Sequence, residues 1–258
     1  MRWNRLQGSS VLCCLSLCGW LWAAPAAHAL ELRTVAQDSE PKYLIEGASV
    51  RGICPDILRA IERLEPDLHF TGYGKRYSFP YIESALSKGM IDVFCGMLRR
   101  PEREVYAMFI EPPLYASRHK LMARAEDTVV VNDLDDLVAL TPNNLIISTN
   151  GTAFPTMLRH RGLTVDDTSS DNRVNVRKLI GGRGRFFYNT DMVLNHLQKH
   201  HPDRDKLRVL PHPMVEEVQY LALGKSLPPN VAQQLERALR KLKDQGELDR
   251  IFRYYAEQ

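Results

Sequence analysis

DVFCGMLRRPEREVYAMFIEPPLY, residues 92–115, is the stretch on which the reading of this chain turns. It opens on an apolar run, Ile91-Asp92-Val93-Phe94-Cys95, with the length of a short buried strand, and breaks at Gly96. A polar turn carrying Arg99, Arg100 and Arg103 follows. A short amphipathic run through Val105, Met108 and Phe109 comes next, which Glu111-Pro112-Pro113 is expected to stop, and Tyr115 opens a further extended segment. A strand that ends in glycine and arginines sets backbone N–H groups and guanidinium forks at its C-terminal edge. Open α/β sheets bind ligands at that edge.

These residues resemble the family 3 extracellular solute-binding proteins, the amino-acid-binding type of bacterial ABC importers. The family pattern reads D, an apolar run, G-M-T-x-T-P-E-R, then F-S-x-P-Y. Here Gly96-Met97-Leu98-Arg99-Arg100-Pro101-Glu102-Arg103 precedes Phe109, Pro112, Pro113 and Tyr115. The resemblance implies a two-lobed α/β fold of the type II periplasmic binding class, its lobes joined by two crossing strands. It also implies that Arg103 clamps a ligand carboxylate.

Upstream, Arg2 and Arg5 precede an apolar run from Val11 to Trp22, and Ala27-His28-Ala29 has the small-x-small form of a cleavage site. Residues 1–29 therefore read as a secretory signal peptide and place the mature protein in the periplasm. Removing them takes all three tryptophans, Cys13, Cys14 and Cys18, and lowers the formal net charge from +3 to +1. That balance gives no attraction for nucleic acid or a membrane surface. The remainder, from a chain of 258 residues that is 44% hydrophobic and 25% charged, is long enough for two lobes.

Pro55 suits a helix's first turn, and Ile57, Ala60, Ile61 and Leu64 recur at helical spacing. This matches the family's G-x-D-x-D-L-x-x-A-I start, with Cys54 replacing the first acid. Phe79–Lys88 reads as a helix, Leu121–Ala123 as a strand leaving the first lobe, and Asn143–Ser148 as a strand running into Asn150-Gly151-Thr152. Glycine and threonine before a helix at Phe154 form an anion-ready nest or a plain cap. Further on, Asn189-Thr190-Asp191 is expected to cap a helix. Direct counting against the family puts Thr190 where the acid for a ligand's ammonium group belongs; a one-residue bulge puts Asp191 there instead. Two helices, with stripes Val231-Leu235-Leu239-Leu242 and Leu248-Ile251-Phe252-Tyr255, end the chain.

The expected organisation is lobe 1 from 30–117 and 218–258, with lobe 2 from 118–217. A ligand would be held by Arg103 with Arg100, by backbone groups at Gly96, by Gly151 and Thr152 from lobe 2, and by Thr190 or Asp191. Phe79 or Tyr43 would form an apolar wall. In the implied topology Cys54 and Cys95 reach the same sheet edge, within bridging distance in an oxidising compartment. His196 and His200 are four apart but lack the acid and cysteines of a metal motif, so neither metal nor cofactor is expected. The function implied is capture of a small acidic solute by a monomer serving an ABC permease. Two other classes stay open: a sensor read by a membrane partner, and an enzyme like the cyclohexadienyl dehydratases.

Overall fold

The structure, a computed structural model, describes residues 1, 3, 29–140 and 144–256. The expected signal segment therefore lies outside the described residues, apart from positions 1, 3 and 29. The chain starts with β1 (Leu30–Arg33), β2 (Ala36–Gln37), β3 (Leu44–Glu46) and β4 (Ser49–Arg51). Helix α1 (Ile53–Leu64) follows, with Ile57, Ala60 and Ile61 buried and Arg63 turned outward. After it come β5 (Leu68–Thr71), which pairs parallel with β1, then β6 (Arg76–Tyr77) and α2 (Phe79–Ser87). The fully buried β7 (Val93–Leu98) leads into the four-residue α3 (Pro101–Glu104).

Strand β8 runs unbroken for 18 residues, Ala107–Arg124. The amphipathic run expected after Arg103 is thus the start of a strand, and the two prolines do not end it. Pairing with the return strand skips from Ile110 to Tyr115, so Pro112 and Pro113 fall where no ladder N–H is required. The second half of the molecule contains α4 (Leu134–Ala139), β9 (Ile146–Ser148), α5 (Phe154–His160), β10 (Val165–Asp166) and α6 (Asn172–Ile180). It continues through β11 (Phe186–Thr190), α7 (Asp191–His200) and β12 (Leu207–Val209). Strand β13 (Val215–Gly224) returns, and α8 (Pro229–Asp244) and α9 (Glu247–Ala256) close the chain against α1.

The long strands β8 and β13 organise everything else. They pair antiparallel from Ala107–Gly224 to His119–Val215. At one end β7 adds to β13; at the other, β11 and β12 add to β8, and β9 and β10 extend beyond β11. Two α/β halves are therefore tied by the same two strands. The largest buried cluster crosses between them, from Ile57 and Ile61 of α1 to Val193 and Leu194 of α7. Each Leu or Ile fully buried there contributes on the order of 1.5–3 kcal/mol. Cys54 at the start of α1 is joined to Cys95 of β7 by a disulfide, with the Cα atoms 5.6 Å apart.

Candidate functional site

A cleft of about 610 Å³, counting its open mouth, lies between the halves. One side comes from Gln37 at the end of β2, the β2–β3 loop (Asp38, Ser39, Lys42), Phe79, Gly96, Leu98, Arg103, Tyr115 and Gln219. The other comes from Thr149, Thr152, Ala153, Phe154, Asn172, Asn189, Thr190 and Met192.

Arg103 is buried, at 6% exposure. Its Nε donates to Glu83 Oε1 at 2.9 Å and its Nη1 to the Leu98 carbonyl at 3.0 Å, and the guanidinium lies 4.8 Å over the Phe79 ring. The rest of the fork is left for the cleft. A second cation, Lys42, stands beside it at 4% exposure. Its Nζ donates to the Gly96 carbonyl at 2.5 Å and to Gln37 Oε1 at 2.7 Å, and lies 4.6 Å over the Phe94 ring. No carboxylate pairs with Lys42 among the described residues. Burial, then the positive charge of Arg103, pushes its pKa well below the usual lysine value.

Gly96 makes this arrangement possible. Its φ is +78°, and a Cβ there would stand 2.6 Å from Lys42 Cε and 2.7 Å from Tyr115 Oη. The Tyr115 hydroxyl is buried with no hydrogen-bond partner, and burial raises its pKa. On the opposite wall, Thr149, Asn172 and Asn189 hydrogen-bond one another, with Asn189 Nδ2 to Thr149 Oγ1 at 2.9 Å and Thr149 Oγ1 to Asn172 Oδ1 at 2.7 Å. Thr190 Oγ1 is buried there without a partner. Among the described residues the one acid lining the cleft is Asp38. It is half-exposed at the mouth, with Oδ1 3.7 Å from Arg76 Nη1, and burial raises its pKa against the pull of that arginine. The floor is cationic and the opposite wall neutral.

Residues 33–258 match the bacterial extracellular solute-binding proteins, family 3. The chain belongs to that family. No curated protein sequence matches it. Among solved structures it is similar to an amino acid ABC transporter substrate-binding protein, AbpA from Streptococcus pneumoniae, bound to L-arginine. Identity there is 17% and the TM-score 0.73, over 88% of this chain and 94% of that one. It is similar to the GluR0 ligand-binding core in complex with L-glutamate, at 16% identity and TM-score 0.74, over 90% and 99%. It is also similar to the ancestral amino acid-binding protein AncCDT-1, a precursor of cyclohexadienyl dehydratase, at 16% and 0.73, over 87% and 95%. At such identities the likeness shows the fold, that of two-lobed periplasmic binding proteins.

Within this family member, Arg103, Gly96, Phe79, Thr152 and Thr190 line the cleft. Four other expected residues do not. Arg100 lies two residues beyond the Leu98–Gln219 pair, which carries it beside Glu217, and it forms an ion pair there. Glu217 also faces His119, whose Nε2 is 3.2 Å away. Tyr43 is fully buried in the largest core cluster, while its neighbour Lys42 takes the cleft. Gly151, at φ +77°, packs where a Cβ would meet Pro80 Cδ at 2.6 Å, so it seats the loop against α2. The Asp191 carboxylate turns back to its own helix start, accepting from Met192 N at 2.8 Å and Arg118 N at 3.3 Å.

Thr152 stands just before α5, with Ala153 between; its hydroxyl donates to the Thr149 carbonyl at 2.8 Å and accepts from Phe154 N, the first residue of the helix, at 3.4 Å. The His196 and His200 rings lie tilted at 40° with centroids 4.5 Å apart, and His196 Nε2 lies 3.4 Å from Glu40 Oε2. Among the described residues no three His, Cys, Asp or Glu side chains converge as a metal set. Sequence reasoning missed Lys42, Tyr115 and the Thr149-Asn172-Asn189 group. The pattern that found Arg103 is a local motif, whereas these come from a loop and from separate elements.

Proposed function

We propose that this protein captures a small acidic solute between its lobes and delivers it for ABC-type import. The observation that carries the reading is the pair of buried basic side chains, Arg103 and Lys42, in one cleft: Glu83 pairs with Arg103, but among the described residues Lys42 has no carboxylate partner. A buried charge without a partner costs several kcal/mol, and an anionic ligand removes that cost. Arg103 supplies a charge-assisted, directional contact; Phe79 and Phe154 give apolar walls; Thr152 and Thr190 face the ligand from the second lobe.

The lobe limits we assign are 30–117 with 218–258, and 118–217, the chain crossing on β8 and β13. A ligand touching both sides binds the closed form better than the open one, so closure follows from that difference in affinity. We also place the mature protein in the periplasm, starting near Leu30. Its fluorescence is then tyrosine-only, and a tryptophan emission band would show residues 1–29 retained.

Capture rather than turnover is favoured because Asp38 is the one carboxylate lining the cleft among the described residues, and it lies half-exposed at the mouth. Turnover of prephenate or arogenate would reverse that choice. A thermal-shift screen of the twenty amino acids beside an organic-acid panel tests the main reading. Saturable stabilisation by one or more acids is expected. Stabilisation by a cationic or uncharged solute alone contradicts it.

A further inference from the structure

Two cations in one cleft differ from one in what they select. Arg103 lies over Phe79 and Lys42 over Phe94, and these two rings meet edge-on with centroids 6.1 Å apart. Each basic side chain is thus seated on its own ring of one edge-to-face aromatic pair. Arg103 already has a carboxylate near it in Glu83. Lys42 has only neutral acceptors, the Gly96 carbonyl and Gln37 Oε1, which take two of the three protons an ammonium offers. Beside it the Tyr115 hydroxyl, at 5% residue exposure, has no acceptor at all and faces the same cleft.

We infer that Lys42 Nζ and Tyr115 Oη form a second anion subsite, distinct from Arg103, and that the preferred ligands are short dicarboxylates. One carboxylate takes Arg103. The other accepts from the free Lys42 proton and the orphaned Tyr115 hydroxyl, supplying both the missing counter-charge and the missing acceptor. The glycine at position 96 is what lets the two donors converge, since any Cβ there would collide with both. This inference rests on the reading of the cleft as an acid site.

The test is titration calorimetry on the full mature chain with succinate, L-malate, glutarate and 2-oxoglutarate, each beside its monomethyl ester. Lys42→Met removes the cation. Tyr115→Phe removes a hydroxyl that bonds nothing in the protein, so it leaves folding intact even where Lys42→Met does not. At least one diacid should bind tenfold or more tightly than its ester. That preference should collapse in either variant while ester binding stays within about threefold, because Arg103 is untouched. Equal binding of diacid and ester, or a preference that survives Tyr115→Phe, overturns the subsite; if Arg103→Met still abolishes binding, the acid-site reading stands without it. Failure of every acid to bind the wild-type protein overturns both.

Discussion

Glu40 of the β2–β3 loop and His196 of α7 meet, with Glu40 Oε2 3.4 Å from His196 Nε2. The same carboxylate accepts from Arg76 Nη2 at 2.7 Å on its own side and from Arg173 Nη2 at 3.2 Å on the far side. One side chain from the β2–β3 loop thus ties that loop to both α6 and α7. On the lobe limits proposed above, such a contact exists only while the lobes are together, and it then belongs to the energetics of closure.

The His196 hydrogen bond, followed by the Arg76 and Arg173 charges, holds the Glu40 carboxyl down at about 2, against the opposing effect of burial. A carboxyl with a depressed folded-state pKa stabilises fully above its ordinary value and loses that contribution as pH falls through the depressed one. The tie is therefore complete at neutral pH and is lost between roughly pH 4.5 and 2. With Arg173 largely exposed, its worth is discounted to about 1 kcal/mol or less. Glu40→Gln should flatten the fall of melting temperature over that window and raise the radius of gyration of the neutral-pH protein. An unchanged slope and radius would show that the contact does not hold the lobes.

The Cys54–Cys95 bridge closes a loop with a sequence separation of 41. In the chain-entropy account this stabilises the first lobe by about 4 kcal/mol. Reduction, or Cys54→Ala with Cys95→Ala, should lower the melting temperature while leaving the fold recognisable by circular dichroism. Thiol counting under denaturing, non-reducing conditions checks the premise. Two reactive thiols in freshly exported protein would contradict it.

Asp191→Ala should leave ligand affinity unchanged. Its carboxylate serves Met192 N and Arg118 N, so its loss is a loss of a helix-start contact, about 0.5–2 kcal/mol of stability. Titration of the variant beside the wild type separates the two effects. Binding of an unmodified amino acid by the wild type, lost in Asp191→Ala, would return this acid to the ammonium position and overturn the acidic-ligand reading.

The fold was legible because its signals are local. The strand broken at Gly96, the Pro-Glu-Arg turn and the helical stripes of α1, α8 and α9 each lie within a dozen or so residues. Arg103 entered the site on the same evidence. What stayed hidden needed register or loop geometry. Arg100 and Glu217 are 117 residues apart and meet only because β7 and β13 pair as they do. In the β2–β3 loop no period tells Lys42 from Tyr43, so which one faces the cleft cannot be read from spacing. Thr190 and Asp191 differ by one position at the end of a strand, where that step turns a side chain from one face to the other.

Capture of an acid by Arg103 is tested most directly by native mass spectrometry of the exported protein purified from its source, wild type beside Arg103→Ala. The wild type should carry an added mass matching a small organic acid, released on denaturation, and Arg103→Ala should be folded and empty. The same added mass on both proteins, or a retained neutral or cationic solute, would contradict the assignment.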